Sequence, residues 1–195
     1  IVGLQENDVA ACVKHYAANN QETNRDFVDV QIDERALREI YLPVFKAAVK
    51  EANAYSMMGA YNKFRGEYLC ENSAMLNDVL RDEWGFEGVV ISDWAAVHTS
   101  VNSLKSGLDI EMGTPKPFNE FFLADALIDS VKAGKISEVE IDKHVKRILQ
   151  LMYTLKSMGG KAKKKGSIIR EAHLKVVYDF PEKSVLCLKN DKIFL

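Results

Sequence analysis

Four short apolar runs, Val9 to Val13, Ala54 to Ala60, Gly88 to Ile91 and Leu108 to Met112, constrain this chain more than any other feature. Each reads as a strand buried on both faces of a sheet, continuously apolar in the first three and interrupted by Asp109 and Glu111 in the fourth. Between them the apolar positions switch to helical spacing. Asp33 is placed to cap a helix carrying Ala36, Leu37, Ile40, Phe45 and Val49, and Ser73 precedes Met75, Leu76, Val79 and Leu80. Val97 to Lys105 and Phe118 to Lys132 continue the alternation. Strands alternating with helices predict an α/β fold of parallel βα units.

Four such units are half of an eight-stranded (β/α)8 barrel, which typically takes about 250 residues. No internal repeat offers a solenoid in place of closure. After the fourth unit, Ser137 and Glu140 form a capping box ahead of an amphipathic stripe of Val139, Val145, Ile148, Leu149, Met152 and Leu155, which Gly159 and Gly160 end. The basic stretch from Lys161 to Arg170 has no interleaved aromatic residues and reads as a linker rather than a nucleic-acid site. The last apolar groups, Val185 to Leu188 and Ile193 to Leu195, read as the opening strand of a further domain.

Composition narrows the function class. With 47% hydrophobic and 28% charged residues, the 195-residue chain has the balance of a globular domain. A net charge of -2 supplies no basic excess for nucleic acid or anionic membrane, and no apolar run approaches the length of a spanning helix. Neutral small molecules fit better as partners. Cys12, Cys70 and Cys187 lack CxxC spacing and paired histidines, so no metal site is read and buried free thiols are expected. The opening residues show neither an initiator Met nor a signal-peptide pattern, and a processed or fragmentary chain is expected.

In parallel βα architecture, chemistry sits at the carboxyl ends of the strands. Here those ends are polar: Lys14 and His15, then Tyr61 and Asn62, then Ser92, Asp93 and Trp94, and finally Asp109 and Glu111. Asp93 follows Val89, Val90 and Ile91 with only Ser92 between, so its carboxylate is either desolvated at a core edge or aimed into a cleft. Trp94 offers a flat apolar face, and Lys14 with His15 offers a cation and hydrogen-bond donors. Lys14 at a strand end would also suit a Schiff-base aldolase, and a noncatalytic binding or structural remnant is a further reading.

These strand ends resemble the motifs of glycoside hydrolase family 3. Lys14-His15-Tyr16-Ala17-Ala18-Asn19-Asn20-Gln21-Glu22 is similar to its KHF-x-x-N-x-x-E segment, and Met58-Gly59-Ala60-Tyr61-Asn62 to its M-x-x-Y-N strand end. Trp84-Gly85-Phe86-Glu87-Gly88 through Ser92-Asp93-Trp94 resembles the nucleophile strand, and Gly107 to Met112 the G-x-D-x-E-M element. Ser184 to Asn190 looks like the SIVLLKN strand that opens the family's second domain.

The resemblance implies the second half of a TIM-like barrel over residues 1–158, a linker over 159–172 and the start of a second α/β domain over 173–195. It implies a retaining β-glycosidase of the glucosidase or xylosidase type acting on a carbohydrate substrate without a cofactor. Asp93 would be the nucleophile, with Lys14, His15 and Tyr61 lining the subsite of the cleaved sugar and Met58 and Trp94 forming apolar walls. Glu22 and Arg25 resemble a pair that stabilises a loop. The general acid would come from a second domain, because Tyr16-Ala17-Ala18-Asn19 departs from the KHFPGHG-like motif that carries a His in another branch. An Asp and an Arg that grip the sugar would belong to earlier barrel strands. The compartment stays open, since the family includes periplasmic and extracellular members.

Overall fold

The first strand starts later than its apolar run because a side chain occupies the ladder. Gln5 accepts the Tyr55 N–H at 2.9 Å and donates to the Asn53 carbonyl at 2.9 Å, so the main-chain groups that Val9 to Ala11 would have met are taken. Pairing begins at Cys12, and Val9 stays half exposed. Lys14 and His15 therefore lie within the first strand rather than beyond its end. In this computed structural model residues 1–113, 116–158, 166–167, 169–186 and 188–189 are described, and they fall into two units, 1–159 and 160–195.

The first unit runs α1 (Val2–Gln5), β1 (Cys12–Tyr16), β2 (Asp29–Val30), α2 (Glu34–Ala36), α3 (Pro43–Lys50), β3 (Ser56–Gly59), β4 (Lys63–Phe64), β5 (Glu67–Tyr68), β6 (Val89–Ser92), α4 (Ser100–Lys105), α5 (Asp125–Lys132) and α6 (Glu138–Thr154). β1, β3 and β6 form a parallel sheet in that order, with Ser56 opposite both Cys12 and Val89. β2, β4 and β5 form a small second sheet. The register of β1 shifts between Val13 and Tyr16, and the Lys14–His15 and Tyr16–Ala17 peptide bonds are cis.

The expected fourth strand is reduced to one parallel bridge, Ile91 to Ile110. Again a side chain replaces the ladder: Asp109 Oδ2 accepts the Val90 N–H at 2.8 Å, which a neighbouring strand's carbonyl would otherwise take. What the chain displays is an α/β unit with a parallel sheet.

The helices carry similar displacements. Asp33 caps α2 as expected, its Oδ1 accepting from Ala36 N–H. The chain then widens into π geometry over Leu37–Tyr41, where the Leu42 N–H reaches back five residues to Leu37, and Pro43, which has no N–H to lose, opens α3. The wide turn rotates the apolar face, so Leu37 and Leu42 are buried and Ile40 is exposed. A second π-helical segment, Ala74–Glu83, is capped by Asn72 rather than Ser73, since Asn72 Oδ1 accepts from Met75 N–H at 2.9 Å. α4 starts at Ser100, three residues after the expected Val97. Ser137 caps α6, but Glu140 turns to Lys143 instead of closing the box. The α6 stripe is misphased too: Val139, Val145, Leu149 and Met152 are exposed, and the buried residue is His144.

Tyr16, Leu37, Leu42, Phe45, Met57, Leu76, Leu80, Trp84, Val90 and Leu108 make the core between the sheet and its helices. Each buried Leu contributes about 1.5–3 kcal/mol. Tyr16 stands edge-on to Phe45 and Trp84 and donates its hydroxyl to the Met75 carbonyl at 2.9 Å, and burial pushes the phenol up from its ordinary range. Cys70 is buried and Cys12 exposed, both as free thiols, so burial is wrong for Cys12; Cys187 lies outside the described residues. A Cβ on Gly88 would fall inside contact distance of the Tyr55 carbonyl oxygen and 2.7 Å from the Phe86 ring. Gly88→Ala is expected to lower the urea midpoint by the equivalent of about 1–3 kcal/mol, with an unchanged slope.

In the second unit, α7 (Glu171–Ser184) contains Pro181 and leaves Val185, Leu186 and Leu188 exposed. No strand pairing for this segment occurs among the described residues, because a strand needs a neighbouring strand to satisfy its backbone. Most of the basic stretch and residues 190–195 lie outside the described residues.

Candidate active site

The end of β6 delivers Asp93, and the end of β3 holds it. The Asp93 N–H donates to the Gly59 carbonyl at 3.1 Å, while the Asp93 carbonyl accepts from Ser92 Oγ at 2.8 Å and from Ala96 N–H at 3.2 Å. Gly59 leaves room for Cys70, since a Cβ there would stand 2.8 Å from Cys70 Sγ. Cys70 fills the space beneath, and its thiol is pushed up to about 12, chiefly by burial.

The Asp93 side chain is 6% exposed and held at both oxygens. Oδ1 accepts the Trp94 N–H at 2.8 Å, and Oδ2 lies 2.9 Å from His15 Nε2, which must carry a proton to donate. The Tyr61 hydroxyl lies close enough to feel the charge of the same carboxylate. Burial, then the charge of Asp93, push that phenol up to about 12, so it keeps its proton across the neutral range. The Arg25 guanidinium sits 4.8 Å above the Tyr61 ring and pairs with Glu22 at 3.1 Å, tying the loop after β1 to this residue near Asp93.

The structure thus brings His15, Tyr61 and Trp94 to Asp93. Lys14 is exposed and forms no ion pair with Asp93. Met58 is partly buried in β3, opposite Ile91 in register, and the Trp94 ring is 58% exposed.

The other strand-end acids have different employment. Glu71 accepts from His98 N–H at 2.9 Å and also from Thr99 N–H, satisfying main-chain donors at the start of α4. Glu111 accepts from Leu123 N–H at 2.7 Å. Asp109 lies toward the entry end of β6, fully buried, 2.8 Å from Arg81, 2.7 Å from Arg147 and 2.8 Å from His144 Nδ1. Burial opposes its ionisation, but the His144 hydrogen bond, the Arg81 and Arg147 charges and the Val90 N–H outweigh that and hold it below the usual carboxylate range. His144 and Arg147 stand on α6, whose packing face the apolar pattern misplaced, and Arg81 stands on a helix read for its apolar face alone, so only the charge of Arg81 and Arg147 could have hinted at the cluster.

Residues 1–151 match the profile described as "Glycosyl hydrolase family 3 N terminal domain". The chain belongs to glycosyl hydrolase family 3. Within the family it is 40% identical over 199 residues to β-glucosidase BoGH3A of Bacteroides ovatus, covering 97% of this chain and 26% of that protein. It is 41% identical over 191 residues to thermostable β-glucosidase B of Acetivibrio thermocellus, covering 98% of this chain and 24% of that one. Among solved structures, β-glucosidase 3B from Thermotoga neapolitana in complex with glucose matches with a TM-score of 0.86 and 40% identity, over 100% of this chain and 27% of that one. The family 3 chain therefore spans about a quarter of the length of the curated relatives it matches.

Proposed function

We propose that this chain carries the nucleophile side of a retaining β-glycosidase, with Asp93 as the attacking carboxylate. The observation that carries the reading is the buried Asp93 carboxylate held by His15 and the Trp94 N–H, with Tyr61 near by, at the end of a parallel strand in a family 3 domain. In such a site one carboxylate attacks the anomeric carbon and the bond to the leaving oxygen breaks as a second carboxyl group, about 5–5.5 Å away, protonates it. Water then hydrolyses the glycosyl ester. Lys14, His15 and Tyr61 would hold the hydroxyls of the cleaved sugar, and Met58 and Trp94 would wall the subsite. The substrate class is a β-glucoside or β-xyloside.

Glu22, Glu71 and Glu111 are engaged with Arg25, with main-chain groups at the start of α4 and with Leu123 respectively, which supports an acid from chain outside residues 1–195. On the same reading β1, β3, β6 and the Ile110 bridge belong to four βα units of a (β/α)8 barrel, residues 159–172 form a linker and 173–195 begin a second α/β domain.

The experiment is to treat the protein with 2-deoxy-2-fluoro-β-glucosyl fluoride, whose fluoride leaves without an acid, and to map the adduct by mass spectrometry. A glycosyl adduct on the peptide containing Asp93 is expected. No adduct, or one on another carboxylate, would rule the assignment out. Borohydride trapping of a keto substrate on Lys14 would instead indicate the aldolase. His15→Ala is expected to slow labelling by at least tenfold, because the donor acts in the transition state as well as the ground state. A change under about threefold, below roughly 1 kcal/mol, would place His15 outside the subsite.

A further inference from the structure

We propose that Asp109 is a positioning residue for Asp93, an inference that rests on the glycosidase reading for its chemical consequence. The segment 109–112 grips β6 at successive points. Asp109 Oδ2 accepts the Val90 N–H at 2.8 Å, and the Val90 carbonyl accepts in return from Asp109 N–H at 2.9 Å and Ile110 N–H at 3.1 Å. Ser92 N–H donates to the Ile110 carbonyl at 2.9 Å, and the Met112 N–H donates to Ser92 Oγ at 2.8 Å, which itself donates to the Asp93 carbonyl. The grip therefore extends from three residues before the nucleophile to the nucleophile's own peptide.

Asp109 fixes where that grip sits. Its carboxylate is joined to Arg81 of the π-helical segment at 2.8 Å, and to His144 and Arg147 of α6 at 2.8 and 2.7 Å. Arg81 also donates to the Gly88 carbonyl at 3.1 Å and the Gly107 carbonyl at 2.9 Å, the residues that lead into β6 and into Asp109. One buried carboxylate thus couples two helices to a single strand register. Charge-assisted hydrogen bonds inside a protein are short and directional, so the node resists small slides of β6 along its own axis. A misplacement of about 1 Å at a reacting group can cost on the order of 100-fold in rate.

The test uses the full chain and three variants. Asp109→Asn keeps size and an acceptor while removing the charge, Arg147→Lys keeps the charge while removing the planar fork, and Ser137→Ala weakens α6 at its cap, away from the node. Labelling by 2-deoxy-2-fluoro-β-glucosyl fluoride gives a maximal rate and a half-saturation concentration, and hydrogen exchange reads the Asp93 amide against the α3 amides. Asp109→Asn should lower the maximal rate at least tenfold with half-saturation within twofold. It should also speed exchange at Asp93 at least tenfold more than in α3. Arg147→Lys should do the same in smaller measure and carries the test if Asp109→Asn does not fold. Ser137→Ala should leave the maximal rate unchanged.

Equal acceleration of all amides with an unchanged labelling rate would show a purely structural role and overturn the proposal. If the unmutated chain takes no label, the glycosidase reading fails. Positioning then stands or falls on whether the Asp93 amide responds selectively.

Discussion

Asp93→Ala is expected to lower turnover of an aryl β-glucoside by about 10⁴-fold or more, on the order of 5 kcal/mol, because it removes the group that forms the glycosyl–enzyme bond. Turnover, unlike labelling by an activated fluoride, also needs the general acid, which a chimera supplies: residues 1–195 in place of the matching segment of Thermotoga neapolitana β-glucosidase 3B, 27% of that protein, to which the whole of this chain aligns at 40% identity. Added azide should partly restore cleavage in the Asp93→Ala chimera by entering the space of the lost carboxylate and attacking the anomeric carbon. An active chimera that keeps its rate after Asp93→Ala would sink the assignment. A folded chimera that is inactive with Asp93 in place would point to the noncatalytic remnant.

Asp109→Ala should have the largest effect on stability. The carboxylate is fully buried against Arg81 and Arg147, and removing one partner of a buried pair costs about 3–5 kcal/mol, because the charge left behind has neither water nor counter-ion. For a domain of this size that is a fall in Tm of roughly 10 °C. The pH dependence has a definite sign. Asp109 is held below its ordinary value in the folded state, so the unfolded chain takes up the proton first as the pH drops. Its contribution is complete above the unfolded value of about 4 and is lost as pH falls through the folded value. Asp109→Asn should therefore flatten the acid limb of stability below about pH 4. A variant with the same acid limb as the unmutated protein would show that the Asp109 charge adds nothing to the fold.

The sequence made the alternation of strands and helices legible because buried strands and amphipathic helices differ in period. It placed Asp93 at a strand end because three branched apolar residues run up to it with only Ser92 between. Where it went astray, a side chain had taken over a backbone's partner. Gln5 holds the Tyr55 N–H and delays β1, and Asp109 holds the Val90 N–H and leaves one bridge where a fourth strand was expected. Neither substitution changes hydropathy, so no periodicity reports it. The π turn at Leu37–Tyr41 is similar: an extra residue per turn carries Ile40 outward and Leu42 inward, with no local marker beyond Pro43. At the site, motif resemblance singled out His15, Tyr61 and Trp94, and all three lie at Asp93. It did not separate Lys14, which is exposed, from its neighbour His15.

The groups around Asp93 also bear on the second half of the proposed reaction. A carboxylate that has attacked a sugar must later depart from it, and a good departing group is one whose negative charge is already accommodated. The Tyr61 phenol, pushed up to about 12, keeps its proton while the ester forms and while it breaks. When one oxygen of Asp93 is bonded to carbon, the donor on the other oxygen stays in place, and both oxygens regain their donors as water displaces the sugar. On the proposed reading, the same hydrogen bonds that temper Asp93 as an attacker would speed its release and shift the slow step away from hydrolysis of the ester and toward its formation.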